Sequence, residues 1–101
     1  MWLLVMFDLP VDTAKARKQY AQFRKSLLKD GFVMIQFSVY VRHSASRENA
    51  DVHSGRVKAF LPPEGEVRLL RITEKQYERM EIFWGKKRKP PEKAPAQLEL
   101  F

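Results

Sequence analysis

The chain contains no cysteine and only two histidines, His43 and His53, in 101 residues. Disulfide staples and thiolate-held zinc are therefore excluded, and two imidazoles are too few for a standard zinc cage. Glycine is scarce as well, at four residues, with no Gly-rich phosphate loop and no nucleophile elbow. Acids are in deficit, since 12 Asp and Glu face 19 Lys and Arg for a net charge of +7. Long hydrophobic runs are missing too. The run Trp2–Phe7 falls far short of the roughly 20 apolar residues that a spanning helix needs, lacks a basic leader, and continues into folded sequence. A cytoplasmic protein with no membrane partner is expected.

What remains is enough to fold. Hydrophobic residues make up 45% and aromatics 12%, well outside the disordered class. A single domain of this length buries only about two thirds of its unfolded surface, which leaves little core for a deep private active site. The positive balance points to nucleic acid as partner. Anionic membrane is the rival, but the one strongly amphipathic stretch carries medium apolar residues where a core wants them and has no lipidation signal beside it.

Trp2–Phe7 reads as a buried strand that ends at Asp8-Leu9-Pro10. Asp12 is expected to cap a helix running to Asp30 and stopped by Gly31. Ala16, Tyr20, Phe23 and Leu27 form its apolar stripe, while Lys18, Gln22, Lys25 and Lys29 follow the same spacing on the opposite side, flanked by Lys15, Arg17 and Arg24. The six bases of this outer face outnumber two acids, both at the helix ends, so phosphate contact is expected there. Phe32–Arg42 is β-rich but long for one strand, which predicts a break or bulge at Gln36–Ser38. Ser46 offers a cap for a second helix with Ala50, His53, Val57, Phe60 and Leu61 inward, ended by Pro62-Pro63; His53 there reads as a partly buried core residue. Val67–Ile72 is a strand, Thr73 with Gln76 a capping box for a short helix over Glu74–Met80, and Ile82–Trp84 a brief last strand.

That order, βαββαβ with a short helix and strand appended, predicts an α+β ferredoxin-like sandwich over residues 1–85. Residues 86–101 form a basic, proline-containing tail: Lys86, Lys87, Arg88 and Lys89 are a cationic tetrad, and the stretch from Lys86 to Ala96 reads as linker. The chain then finishes in Gln97-Leu98-Glu99-Leu100-Phe101. Gln97, Leu98, Leu100 and Phe101 resemble the pentapeptide by which bacterial proteins dock on the DNA polymerase sliding clamp; a terminal β-segment that pairs with a sheet edge is the alternative.

The remaining question is Asp8. A carboxylate fixed at a strand exit by Leu9-Pro10 is placed for metal or phosphate chemistry, although on pattern alone a turn-initiating Asp is favoured. Magnesium-dependent phosphodiester hydrolysis asks for two or more carboxylates, and one chain supplies a single well-placed acid. A two-fold dimer that juxtaposes both Asp8 side chains supplies the second, so catalysis is expected to belong to the dimer.

Phe7-Asp8-Leu9-Pro10, Arg17, Gly31-Phe32 and above all Gln36-Phe37-Ser38-Val39-Tyr40 resemble the small CRISPR-associated adaptation proteins of the Cas-two family, described as endoribonucleases. The resemblance covers about residues 1–85. It implies a ferredoxin-like homodimer that bridges CRISPR integrase dimers and holds double-stranded prespacer DNA, with RNA as a second possible nucleic acid. It also implies Asp8 as ligand of one Mg²⁺ shared per dimer and a catalytic set of Asp8, Arg17 and Phe37. Lys15, Arg17, Lys18, Arg24, Lys25, Lys29 and the tetrad Lys86–Lys89 are the expected nucleic-acid contacts. The alternatives are a stand-alone, toxin-like messenger RNA endoribonuclease and a clamp-recruited DNA-binding module.

Overall fold

The first strand, β1 (Trp2–Asp8), lies between two neighbours in a four-stranded antiparallel sheet with β2 (Val33–Gln36), β3 (Val39–His43) and β4 (Glu66–Ile72), in the order β2-β3-β1-β4. The computed structural model describes residues 1–94. Because side chains alternate along a strand, β1 divides the apolar residues between two faces. Leu3, Val5 and Phe7 point to the face covered by α1 (Ala14–Lys29) and α2 (Arg47–Ala59), where they pack with Phe23, Leu27, Phe32, Tyr40 and Val57. Trp2 and Leu4 point the other way, against Val41 and Tyr77 of α3 (Glu74–Glu78). The Phe7 ring meets Phe23 edge-on, with centroids 5.1 Å apart and planes at 90°. Truncating a buried Phe such as Phe23 to Ala costs about 3–5 kcal/mol, so this ring pair is central to the helix-side core.

The ferredoxin-like α+β sandwich expected from the element order is the fold observed. The break near Gln36–Ser38 is a tight turn between β2 and β3, with a register shift between Met34 and Gln36. Ser46 caps α2 by accepting the Asn49 amide at 3.0 Å, and the Thr73–Gln76 capping box is complete. Gly31, past the end of α1, has φ +89°, and a Cβ there would collide with the Arg42 guanidinium.

Four details differ from the expectation. Thr13, not Asp12, caps α1, because its Oγ1 accepts the Ala16 amide at 3.0 Å while Asp12 stands one residue too early to reach that donor. Leu61 lies beyond α2, exposed, because the helix closes on Phe60, ahead of the prolines. α3 stops at Glu78, short of Met80. Finally, Lys87–Lys89 is not linker but a strand, β6, hairpinned with β5 (Ile82–Trp84) across Gly85-Lys86. A run of four cations reads as solvated chain, yet β6 pairs antiparallel with β5, and Lys89 lies over Trp84 with its Nζ 4.6 Å from the ring centroid.

His53 is buried as expected. Its Nδ1 lies 2.8 Å from Asp30 Oδ2, and Arg56 donates to the other oxygen of that carboxylate at 2.9 Å. The pair ties the end of α1 to the middle of α2. No helix among the described residues is long and apolar enough to cross a membrane.

Candidate nucleic-acid interface

Asp8 ends β1 at the sheet rim and is exposed. It follows Trp2, Leu4 and Met6 in the even-numbered row, so the pleat directs it to the face away from α1 and α2. Its cross-strand neighbour is Glu66 of β4, whose carboxylate is held at 2.7 Å by Arg68. The sequence pattern gave no reason to single out Glu66, since its pairing with Asp8 depends on the register of two strands far apart in the chain. Gly65 sets the local backbone. At φ +95° it passes so close to β1 that a Cβ would sit 2.8 Å from the Asp8 carbonyl oxygen and 2.6 Å from Leu9 Cδ2. Leu9 is buried and anchors the exit. Asp8 forms no ion pair among the described residues.

The β2–β3 turn meets the same end of β1. Phe7 N–H donates to the Ser38 carbonyl at 3.1 Å, and Ser38 adopts φ +63°, a region costing an L-residue roughly 1–2 kcal/mol. The Ser38 hydroxyl also lies 3.3 Å from the Tyr20 hydroxyl, and the Tyr20 and Phe37 rings are nearly parallel with centroids 6.4 Å apart. Arg17, one helical turn before Tyr20, is exposed and donates to the Val11 carbonyl at 3.2 Å. Of the expected catalytic set, Phe37 is thus carried to the strand end that bears Asp8, while Arg17 is braced on the loop after it. Tyr20 and Ser38 complete the cluster. From the sequence Tyr20 reads as a core residue and Ser38 as the end of the expected break.

The basic face of α1 is present. Lys15, Arg17, Lys18, Arg24, Lys25 and Lys29 are all exposed, and none is ion-paired among the described residues. Arg56, Arg68 and Arg71 differ, being bound to Asp30, Glu66 and Asp51. Lys86, Lys87 and Arg88 are exposed on the hairpin and Lys89 is half-buried. Six unpaired cations thus share the outer side of α1 and four more the hairpin, where they attract an anionic polymer.

The donor set for a metal is thin within one chain. No group of three His, Cys, Asp or Glu gathers among the described residues. Elsewhere, Glu74 receives hydrogen bonds from the N-terminal ammonium, His43 and the Trp2 indole. Partial burial pushes its carboxyl upward, but the bonds and charges of the ammonium and His43 outweigh burial and hold it below the usual carboxylate range. Burial, then the Glu92 carboxylate, raises the Tyr77 phenol above its ordinary value. Gln97, Leu98, Leu100 and Phe101 lie outside the described residues.

Comparison with known proteins agrees with the resemblance seen in the sequence. Residues 1–80 match the family model described as CRISPR associated protein Cas2. A CRISPR-associated endoribonuclease Cas2 of Parvibaculum lavamentivorans is 58% identical over the whole of both chains. Another protein of that name, from Flavobacterium psychrophilum, is 52% identical over all of this chain and 88% of its own length. The crystal structure of Streptococcus pyogenes Cas2 at pH 6.5 superposes with a TM-score of 0.61 at 20% identity, covering 83% of this chain and 100% of that one, which shows the shared fold.

Proposed function

The chain belongs to the CRISPR associated protein Cas2 family, and from that premise we propose that it acts in CRISPR adaptation as a homodimer. In this reading it bridges integrase dimers and binds double-stranded prespacer DNA, with metal-dependent phosphodiester cleavage as a secondary capacity. The observation that carries the reading is the outer face of α1, where six exposed cations stand without an acidic partner among the described residues. Cations in that state neutralise phosphates without reading sequence, as duplex binding of any prespacer requires.

The dimer is supported by the open sheet face. Leu70 is half-exposed there, Met6 is half-buried, and the groove beside them continues through Ile35, Val39 and the β5–β6 hairpin. Two such faces packed about a two-fold axis bury this apolar surface and set two Asp8 carboxylates on one interface. Mg²⁺ asks for several hard oxygens, which one chain does not gather among the described residues; the Asp8 carboxylates of two copies, together with waters, would hold it. When bound, the ion stabilises charge on a phosphoryl oxygen. The residues of this chain contribute the rest: Asp8 as ligand, Arg17 and its basic neighbours holding the phosphate backbone. The relatives' name, endoribonuclease, supports RNA as a substrate of the cleavage activity.

Adaptor and nuclease separate on Asp8→Ala. The variant is expected to form the integrase complex, bind duplex DNA within about twofold of wild type and sustain spacer acquisition, while divalent-ion-dependent cleavage falls to background. An acquisition assay in which Asp8→Ala assembles the complex yet inserts nothing overturns the adaptor reading. Growth arrest on overexpression without an integrase, abolished by Asp8→Ala, favours the toxin-like endoribonuclease instead.

A further inference from the structure

β2 is the outer strand of the sheet, paired with β3 on one side only, so among the described residues its other side leaves backbone donors and acceptors without a strand to meet them. Val33 and Met34 stand on this edge, apolar and half-exposed. Val33 lies opposite Val41 and shares the Trp2 face, while Met34 lies opposite Tyr40 and shares the helix face. Arg42 supplies a charge beside them. It follows Tyr40 by two residues on β3, and its guanidinium reaches over Gly31, filling the space that a Cβ there would take. The side chain is half-buried, its Nε is enclosed without a hydrogen-bond partner, and no carboxylate pairs with it among the described residues. Arginine cannot relieve that state by losing its proton. The edge is therefore complementary to a strand with an acid on the helix face and apolar residues on the Trp2 face.

Leu98-Glu99-Leu100 has that alternation. It also starts within reach. Ala94 lines a cavity with Trp2 and Tyr77, and Trp2 pairs with His43 at the end of the sheet where Val33 lies. A strand added outside β2 is three strand spacings from β1, about 14 Å, and the four residue steps from Ala94 to Leu98 extend over about the same length.

We propose that Leu98-Glu99-Leu100 adds to the outer edge of β2 in the same chain, with Glu99 paired to Arg42 and both leucines on the Val33 face. The segment then covers an edge that would otherwise pair with other chains, and a partner that captures it must compete with β2 and Arg42. The proposal is independent of the nucleic-acid reading. The chain has no cysteine of its own, so introduced pairs report contact without background. Val33→Cys combined with Leu98→Cys or with Leu100→Cys is expected to give an intrachain disulfide on mild oxidation, identified by mass spectrometry of the monomer. Val33→Cys with Glu99→Cys, on opposite faces, should not. Backbone amide exchange of the cysteine-free chain is the second measure. Deleting Gln97–Phe101, or Glu99→Lys in the full chain, should speed exchange in Val33–Gln36 about tenfold or more while β1 keeps its protection. Exchange in β2 that neither change alters overturns the proposal, as does cross-linking that ignores the face. A disulfide found only between two chains overturns it as well, by moving the segment to a second copy.

Discussion

The two sides of β1 differ in how they are finished. On the helix side the odd-numbered residues are sealed under α1 and α2, and what faces water is a row of unpaired cations. On the other side only the Trp2 end is sealed, by Tyr77 stacked on the indole with centroids 3.8 Å apart; beyond it the cover thins, and Leu70, opposite Leu4, is left half-exposed. A closed core with a charged exterior suits contact with an anion that slides. A half-closed apolar face with an acid at its rim suits a fixed partner of matching shape. The same strand thus lies between a charged exterior and an open apolar face on opposite sides of one sheet.

The comparison breaks most visibly if the cations do not matter. Joint replacement of Arg17, Lys18 and Lys25 by alanine should lower duplex affinity by about 100-fold or more at moderate salt and reduce the slope of log affinity against log salt by about 3, since each phosphate contact contributes about 0.9. Fluorescence anisotropy across a salt series measures both. An unchanged slope means that the phosphates lie elsewhere, with the β5–β6 hairpin the next place to look.

The open face is tested by Leu70→Arg, which sets a charge where two copies would meet. The dimer dissociation constant is expected to rise about tenfold or more by sedimentation, with circular dichroism unchanged because Leu70 is already half in water. If the protein stays dimeric, the interface is not this face.

A smaller effect distinguishes the sealed end. Glu74 fastens α3 beneath Trp2, and its folded carboxyl titrates below its unfolded value of 4.5. A depressed acid contributes stability that is present above the unfolded value and lost as pH falls through the folded one. Glu74→Gln should therefore lower Tm by about 2–4 °C near neutral pH, and the deficit should shrink on acidification below 4.5. A deficit that persists undiminished in acid assigns it to packing rather than charge. The least effect on duplex binding is expected from deleting Gln97–Phe101, which should leave affinity within about twofold and abolish capture on immobilised sliding clamp. Capture that survives the deletion removes the terminal motif as the docking element.

How much of this was legible in the sequence follows from the range of the interactions. The apolar stripe of α1, the Ser46 cap, the Thr73–Gln76 box and the β2–β3 break are written in neighbouring residues, and the structure has all four. The cap of α1 was misplaced by one residue because Asp12 and Thr13 are both good acceptors and only helix phase decides between them. β6 is not legible locally because its strand character comes from pairing with β5, with Lys89 over Trp84, and not from its own run of cations. The site divides in the same way. Asp8 stood out as an acid at a strand exit, whereas Glu66, Tyr20 and Ser38 join it through register and turn geometry, which no local pattern encodes.

The close passage of Gly65 over Asp8 has a bearing on how sequences of this kind drift. At position 65 any side chain pushes against the Asp8 carbonyl and Leu9 and levers the strand exit outward. The direction in which the acid points is therefore controlled from the loop before β4, at the one step where the two backbones touch.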